Sequence, residues 1–297
     1  MRKFGLQGRS FIPLLSSFAC AIPGIMSTRT IPSFADRMTT ILVAPLMSCS
    51  ARLPVYTLLI AAFIPKSYLL GFISLQGVVL FGMYALGIVG ACVVSWILKV
   101  LFFRAEPAIF VMEMPPFRLP AIKTIFRDIL DRIVLFLKSA GTIILACSIV
   151  LWFLASYPKG KVEESYAGHI GRFIEPAIEP LGFNWEIGVG LLASFAAREV
   201  FVSSLATVYN IASSDDSNSE SLLTELRRKR QDGKFTRLTA ISLMVFYVFA
   251  CQCMSTLAVC RRETGSWKWT GLMFVYMTSL AYAASLLTYQ TGLLIFK

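Results

Sequence analysis

Apolar residues run along this chain in stretches that are long enough to cross a lipid bilayer. A spanning helix needs about 20 predominantly apolar residues, and the runs near that length or longer are 38–64, 69–103, 133–156, 187–209, 238–260 and 269–296. A shorter run, 11–26, is interrupted by Pro13 and Pro23, which predicts a half-helix or a re-entrant hairpin. The pattern predicts an all-α, polytopic membrane protein with about six to eight transmembrane or re-entrant helices.

Composition supports the membrane class. Hydrophobic residues make up 56% of the chain, and its 28 Lys and Arg against 17 Asp and Glu fall mostly between the apolar runs. This distribution indicates loops that face anionic lipid headgroups and argues against a nucleic-acid surface. The seven cysteines are an odd number without paired spacing, which argues against a disulfide framework. A cleaved secretory signal ending near Ala19-Cys20-Ala21 is an alternative for the first run, but Pro13 enters that run early.

The charges of the loops predict on which side of the membrane each loop lies. Segment 99–138, which is Pro-rich and then amphipathic, carries seven Lys or Arg against four acids, and the positive-inside rule places it in the cytoplasm. The acidic loop 157–186 fits the outer side, and the polar insert 210–237 suits the cytoplasm. Strict alternation then sends Arg261 and Arg262 outside, against the rule. Either one segment is re-entrant or the span count is wrong by one.

An internal repeat organises the chain. Leu14–Cys20 resembles Leu191–Ala197, and each copy is followed by a second apolar segment with a central cysteine, Cys49 or Cys253. Two copies of a broken-helix unit are typical of transporters, whose substrate site lies at the repeat interface; ordinary similarity between packed helices is the alternative. We therefore divide the chain into a first repeat (1–64), connecting helices (65–156), the outer loop (157–186) and a second repeat (187–297) that contains the insert.

The segment 47–56 is the first candidate for a functional site. It places thiol, thioether, hydroxyl and guanidinium groups inside an apolar run, where they are costly unless they line an enclosed path or bind a ligand. The polar candidates in this segment are Met47, Ser48, Cys49, Ser50 and Arg52. Arg52 serves either in gating or in anchoring the end of a broken helix, and we favour anchoring. The same choice applies to Arg29 paired with Asp36.

Several motifs resemble, in the same order, the ferrous iron transport protein B (FeoB) family. The residues that carry this resemblance are Ser10–Thr30, Asp36-Arg37, Met47–Tyr56, Arg104–Pro120, Ala140–Leu145, Ser194–Val200 and Arg261–Trp269. The resemblance extends over nearly the whole chain and implies two Gate-type repeats. It implies Fe(II) uptake across the bacterial cytoplasmic membrane by a multi-pass protein, with Fe(II) as the transported substrate and no permanently bound cofactor.

The family's Gate cysteines correspond to Cys20, Cys49 and Cys253, which the resemblance implies line the ion path. Thiolate and thioether ligands suit softer first-row metals, and a conducting site needs few and weak ligands; packing between helices is the alternative role for each thiol. The path or gating candidates are completed by Pro23, Arg198 and Ser255, and the metal candidates by Met47 and Glu199. The chain departs from the family pattern at Ala21, Gln252 and Arg198, where the family usually has Asn, Pro and Lys.

The resemblance also implies a GTP-binding domain, yet no G-x-x-x-x-G-K-[ST] phosphate loop occurs in this sequence. We therefore expect a transporter that is not itself an enzyme, with a GTP-binding and N-terminal membrane half on another chain. A split gene, a remnant and a late start codon are the alternatives that explain this. Further expected partners are the lipid bilayer and a second copy in a homo-oligomer, and nucleic acid is not expected. The rival functions are a permease for nucleosides or other organic solutes and a non-transporting assembly subunit.

Overall fold

The described part of the chain is almost entirely helical. A computed structural model describes residues 6, 8–69, 73–102, 121–136, 165–195, 198, 200–208, 222–224, 226–228, 235–251 and 253–295, with isolated positions at 145, 149 and 153. The only strands in these ranges form the two-residue antiparallel pair of β1 (Tyr68–Leu69) and β2 (Ile73–Ser74). The predicted all-α class is confirmed.

The helices are short in the two repeats and long between and after them. In chain order they are α1 (Phe11–Ala19), α2 (Ala21–Ser27), α3 (Phe34–Val43), α4 (Leu53–Phe63), α5 (Leu75–Leu101), α6 (Ile122–Phe136), α7 (Tyr166–Ile178), α8 (Trp185–Ser194), α9 (Val200–Val208), α10 (Arg237–Phe249), α11 (Met254–Thr264) and α12 (Trp267–Ile295). Short 3₁₀ turns cover Gly8–Ser10, Thr28–Thr30, Ala44–Leu46, Ser50–Arg52 and Glu179–Leu181.

Proline explains where the helices of the first repeat break. A proline ring clashes with the carbonyl four residues earlier and offers no N–H for a helical hydrogen bond. Pro23 therefore forces an interruption near Ala19, and Cys20 is extended between α1 and α2, with φ −156° and ψ 138°. Pro45 and Pro54 act in the same way on the segment between α3 and α4, because Pro54 sits in the first turn of α4, where proline is tolerated.

Helices α1 and α2 form an antiparallel hairpin, the first hairpin. Gly24 in α2 lies against Ser17 and Pro13 of α1, so closely that an added Cβ would overlap the Ser17 hydroxyl and lie 2.9 Å from the Pro13 carbonyl oxygen. Helices α8 and α9 form the second hairpin, since a Cβ at Gly190 would lie 2.7 Å from the ring of Phe201. In both hairpins a small residue permits the close approach of two antiparallel half-helices.

The two repeats run in opposite directions. Helices α3 and α4 form the first broken span, and α10 and α11 form the second. Phe235, just before α10, stacks on Phe63 at the end of α4, with ring centroids 4.7 Å apart. At the other end, Glu263 near the end of α11 binds Arg29, which lies just before α3. The broken spans are therefore antiparallel, and we name the two ends of the molecule the Phe63 face and the Glu263 face.

Each hairpin belongs to one face. The first hairpin begins beside α3, where the Ser10 and Thr40 hydroxyls lie 2.9 Å apart, and returns to the Glu263 face at Thr28–Thr30. The second hairpin begins near the end of α12, where Gly182 contacts Tyr289, and α9 packs against α4. Each repeat is thus a hairpin followed by a broken span, and the two copies have inverted orientation, as in many secondary transporters.

Four helical segments are long and apolar enough to cross a membrane among the described residues: Phe34–Phe63, Leu75–Leu101, Arg237–Thr264 and Trp267–Ile295. They agree with the predicted spans 38–64, 69–103, 238–260 and 269–296. The two broken spans are the most buried, and α5 and α12 expose most of their length, so α5 and α12 present the lipid-facing surface. Most of the predicted span 133–156 lies outside the described residues.

The predicted span 187–209 is wrong as a single crossing. Its apolar run folds back as the second hairpin, because the helix ends at Ser194 and resumes at Val200. One re-entrant segment in place of a crossing moves Arg261 and Arg262 to the side opposite the one that strict alternation gave. This explains why alternation conflicted with the positive-inside rule. Both arginines lie on the Glu263 face together with Lys99 at the end of α5, which is the same side as the start of segment 99–138 that the positive-inside rule assigns to the cytoplasm.

The described residues of the insert 210–237 do not share a side with residues 99–102. Residues 99–102 follow α5 to the Glu263 face, since Gln76 at its start donates to the Ile64 carbonyl on the Phe63 face. Around the insert, Arg227 donates to the Ala61 carbonyl at 3.3 Å and Phe235 stacks on Phe63. The expectation that both segments lie in the cytoplasm is therefore wrong for residues 99–102 and the described residues of the insert, which lie at opposite ends of the molecule.

Candidate functional site

The three candidate cysteines all lie at helix breaks, each immediately before the second half of a broken helix. Cys20 is the N-cap residue of α2, and Cys253 is the N-cap residue of α11. Cys49 precedes the 3₁₀ turn that continues into α4. An N-cap residue has non-helical backbone and lies at the partially positive end of the helix dipole. The fold therefore brings three half-helix N-termini, each with a thiol, toward the middle of the molecule.

These thiols share one region between the repeats. Cys20 lies within electrostatic range of Cys49 and Cys253, and all three lie within that range of Arg198. Each of the three residues is only half-buried, so none is sealed into the core. Within the described ranges, His, Cys, Asp and Glu form no group of three arranged to hold a metal ion. The cysteines are thus placed to line a common region and do not form a closed tetrahedral site.

Arg52 is fully buried and binds the carbonyl end of the preceding half-helix. Its guanidinium donates to the carbonyl oxygens of Pro45, Leu46 and Met47 at 3.0, 3.3 and 3.1 Å and to the Ser48 hydroxyl at 3.4 Å. These carbonyls have no partner within the helix, because the helix stops at the break, and Arg52 takes the place of that partner. A cation near the carbonyl end of a helix also interacts favourably with the helix dipole. The contacts are those of an anchoring residue.

Arg198 makes the corresponding contact in the second repeat, although it comes from the hairpin rather than from the broken span. It is 5% exposed and donates to the Ala250 carbonyl at the end of α10, at 3.1 Å. The backbone N–H of Met254 donates to the Phe195 carbonyl at 3.2 Å. In the first repeat, the Ser50 hydroxyl donates to the Ala19 carbonyl at 2.9 Å. Hairpin and broken span are therefore joined at their breaks in both repeats.

The other candidate residues have different surroundings. Met47 and Ser48 are buried, and Met47 belongs to the hydrophobic core. Ser255 is buried in the first turn of α11, two residues after Cys253. Pro23 lies in the first turn of α2 and sets the break at Cys20. Glu199 lies outside the described residues.

Sequence reasoning missed two features of this region. Cys251 is buried beside the second break and interacts electrostatically with Arg198 and Cys253. Arg29 binds Glu263, through its Nε at 2.8 Å and its Nη2 at 2.6 Å, where the sequence suggested a pair with Asp36. The Arg261-Arg262-Glu263 triplet was a usable signal, since an acid among basic residues at the end of a span needs a partner.

A duplicated hairpin and broken span in inverted orientation define a multi-pass α-helical membrane protein of the inverted-repeat class. The family model described as Gate, nucleoside recognition, matches residues 1–63 and 137–267. A second model, described as the ferrous iron transport protein B C terminus, matches residues 80–132. The chain belongs to the Gate family and corresponds to the C-terminal membrane portion of FeoB proteins.

Curated relatives extend this similarity over nearly the whole chain. The Fe(2+) transporter FeoB of Leptospira biflexa serovar Patoc is 47% identical over 98% of this chain, and that of Leptospira interrogans serogroup Icterohaemorrhagiae serovar copenhageni is 44% identical over the same share. A Porphyromonas gingivalis protein, named an Fe(2+) transport protein A/Fe(2+) transporter FeoB fusion protein, is 37% identical over 100% of the chain. The chain spans 44% of the two Leptospira proteins and 39% of the fusion protein. No solved structure matches the chain.

Proposed function

We propose that this chain forms the membrane path of a ferrous iron transporter, in which Fe(II) passes between the two inverted repeats. The observation that carries the proposal is the placement of Cys20, Cys49 and Cys253 at three helix breaks that share one region. Inverted repeats with broken helices place substrates and ions at their common interface in transporters. The names of the curated relatives support Fe(II) as the substrate.

The chemistry of the breaks favours a sulfur-seeking metal over Mg²⁺ or Ca²⁺. Several backbone oxygens at the break ends already accept hydrogen bonds, from Arg52, from Arg198 and from the Met254 N–H. The half-buried residues Cys20, Cys49 and Cys253 lie beside these oxygens, and sulfur ligands suit Fe(II) better than hard cations that prefer oxygen. Cys20, Cys49 and Cys253 are the proposed ligands, and Met47 and Glu199 remain candidates.

The membrane location of the protein and the site of GTP hydrolysis form a second part of the proposal. The protein lies in the bacterial cytoplasmic membrane with its Glu263 face toward the cytoplasm, because the short connections there carry Arg29, Arg261, Arg262 and Lys268 and the positive-inside rule counts short loops. GTP binding and hydrolysis occur in a part of the transporter outside these 297 residues, since this sequence contains no phosphate loop. That part and the lipid bilayer are the proposed partners.

Uptake of labelled Fe(II) tests the proposal in cells that also make the GTP-binding half. We expect Cys49→Ser to lower initial uptake by at least about tenfold, because even indirect supports of metal sites cost 10–100-fold when removed. The matched control is Cys92→Ser, since Cys92 lies in the lipid-facing helix α5, and its uptake should stay within about twofold of the wild type.

Equal Fe(II) uptake by wild type and Cys49→Ser would overturn the role of the thiols. A labelled nucleoside distinguishes the rival function, which the nucleoside-recognition description of the Gate model favours. Nucleoside uptake that is insensitive to Cys49→Ser, together with absent Fe(II) uptake, would replace the iron proposal with an organic-solute permease. Absence of both activities, with protein present in the membrane, would indicate a non-transporting subunit.

A further inference from the structure

A buried carboxylate joins the two repeats at the Glu263 face. The Glu263 side chain is 2% exposed and accepts hydrogen bonds from Arg29 Nε at 2.8 Å and Arg29 Nη2 at 2.6 Å. Arg37 Nη2 lies 3.3 Å from the same carboxylate and also donates to the Glu263 backbone carbonyl at 3.2 Å. We name Glu263, Arg29 and Arg37 the inter-repeat ion cluster. A planar guanidinium that binds a carboxylate with two hydrogen bonds fixes its geometry as well as its distance.

The cluster joins the C-terminal ends of two helices whose N-terminal ends lie at the candidate thiols. Helix α2 begins after Cys20 and ends next to Arg29, and α11 begins after Cys253 and ends next to Glu263. The two helices pack side by side in parallel. At 1.5 Å per residue, α11 extends about 16 Å, roughly half the hydrocarbon thickness. The seam between α2 and α11 thus connects the thiol region with the Glu263 face.

The corresponding seam on the other side of the molecule has a different chemistry. There the second hairpin meets the first broken span, where α9 packs against α4. The described contacts in this area involve the buried residues Phe201, Leu205 and Leu226, together with the hydrogen bond from Arg227 to the Ala61 carbonyl. Ion pairing of a buried carboxylate is therefore described only for the seam at the Glu263 face.

We propose that the inter-repeat ion cluster is the gate of the path at the Glu263 face, and that an ion leaves the thiol region there only when Glu263 separates from Arg29 and Arg37. Separation leaves the buried carboxylate with only the long contact to Arg262 Nε of its own helix, at 3.9 Å, which is unfavourable until water reaches it. The pairing therefore favours the state in which this face is closed. In alternating access, one repeat moves against the other around a fixed site, so a contact between repeats is suited to this control.

The inference deepens the proposed function, and its test uses thiol accessibility so that it does not depend on iron transport. A membrane-impermeant maleimide is applied to inside-out and right-side-out vesicles that contain the full chain. We expect Glu263→Gln to raise the labelling rate of Cys20 and Cys253 from the Glu263 face by about tenfold or more, with no change from the Phe63 face. The control Lys268→Gln removes an exposed charge from the same face and should label like the wild type.

Substitution on the other side of the contact keeps the test decisive if Glu263→Gln disturbs folding. The double variant Arg29→Gln with Arg37→Gln removes both partners from the first repeat and keeps Glu263, so it should raise labelling from the Glu263 face as Glu263→Gln does. Wild-type labelling of Glu263→Gln would overturn the gate. An equal increase from both faces would also overturn it, because that result indicates general loosening. Thiol labelling that behaves as expected in a protein without Fe(II) uptake would support the gate and reject only the substrate.

Discussion

At the scale of single residues, two buried arginines hold the helix breaks in place. Arg52 binds three backbone carbonyls of the first broken span, and Arg198 binds the Ala250 carbonyl in the second. A helix that stops inside a membrane leaves carbonyl groups that lipid cannot satisfy. A guanidinium with five donors satisfies several of them at once. The arginines therefore make broken helices compatible with an apolar environment.

Substitution of Arg52 tests this anchoring role. Arg52→Met leaves the carbonyls of Pro45, Leu46 and Met47 without their donor, and each unsatisfied buried group costs about 1–3 kcal/mol. We expect a loss of about 3–5 kcal/mol in stability, measured as thermal unfolding in detergent or as the amount of folded protein in the membrane. The stability of Arg52→Lys should lie between those of the wild type and Arg52→Met, because an ammonium group keeps the charge but has only three donors and no planar geometry.

The exposed loop residue Lys66 provides the control for Arg52. Lys66→Met also removes a cation, but no buried group depends on it, and its effect should stay within about 0.5 kcal/mol. Equal stability of Arg52→Met and Lys66→Met would contradict the anchoring role.

The sequence predicts a feature of these residues when the residues that cause it are neighbours in the chain. Pro13 and Pro23 interrupt the first apolar run in the sequence itself and predicted the half-helix or hairpin around Cys20. The sequence placed Cys49 and Cys253 only at the centre of apolar segments, and the structure shows that helix breaks lie beside them. The partner of Arg29 was not predictable in this way, because Glu263 follows it by 234 residues. Only the inverted packing of the repeats brings the two together.

At the scale of elements, the two hairpins decide the topology. Helices α8 and α9 together are as long and apolar as a spanning helix, so hydropathy does not distinguish a crossing from a return to the same face. The break between Ser194 and Val200 decides in favour of a return. One hairpin in place of one crossing reverses the side of every following loop.

Labelling of single introduced cysteines tests this topology. Thr30, Lys268 and Lys66 are exposed, the first two at the Glu263 face and the third at the Phe63 face. We expect an impermeant maleimide to reach Thr30→Cys and Lys268→Cys from one side of the membrane and Lys66→Cys from the other. Wild-type protein gives the background from the native thiols. If Thr30→Cys and Lys268→Cys were labelled from opposite sides, the inverted arrangement of the repeats would be wrong.

At the scale of the whole molecule, burial separates a central unit from a lipid-facing layer. The two broken spans are 61% and 71% buried in their most apolar windows, whereas α5 and α12 are 22% and 28% buried. Lipid solvates apolar side chains as well as protein does, so exposed Leu, Ile and Val residues on α5 and α12 need no protein partner. Composition predicted the membrane class, but only the packing shows which spans surround the thiols.

Lysine substitution on α5 tests the lipid-facing layer. Val89 is 59% exposed in the middle of α5, and Leu101 is 69% exposed at its end. A lysine at the centre of a spanning helix costs about 3 kcal/mol on insertion scales, so Val89→Lys should lower the amount of membrane-inserted protein severalfold. Leu101→Lys should be tolerated, because its side chain reaches the headgroups. Insertion is measured by alkaline extraction of membranes, and equal insertion of the two variants would contradict the assignment.

The inverted orientation of the repeats has a consequence for turnover. If each repeat adopts the conformation of the other, the molecule passes to a second state, in which the Phe63 face is closed and the Glu263 face is open. Closing the Glu263 face forms the inter-repeat ion cluster, whereas the described contacts of the opposite seam are apolar apart from the hydrogen bond from Arg227 to the Ala61 carbonyl, so the described closures use different interactions. Salt screens separated charges more strongly than buried pairs. With the proposed orientation, in which the Glu263 face meets the cytoplasm, ionic strength there shifts the balance between the two states, and with it the fraction of time for which the Glu263 face is open.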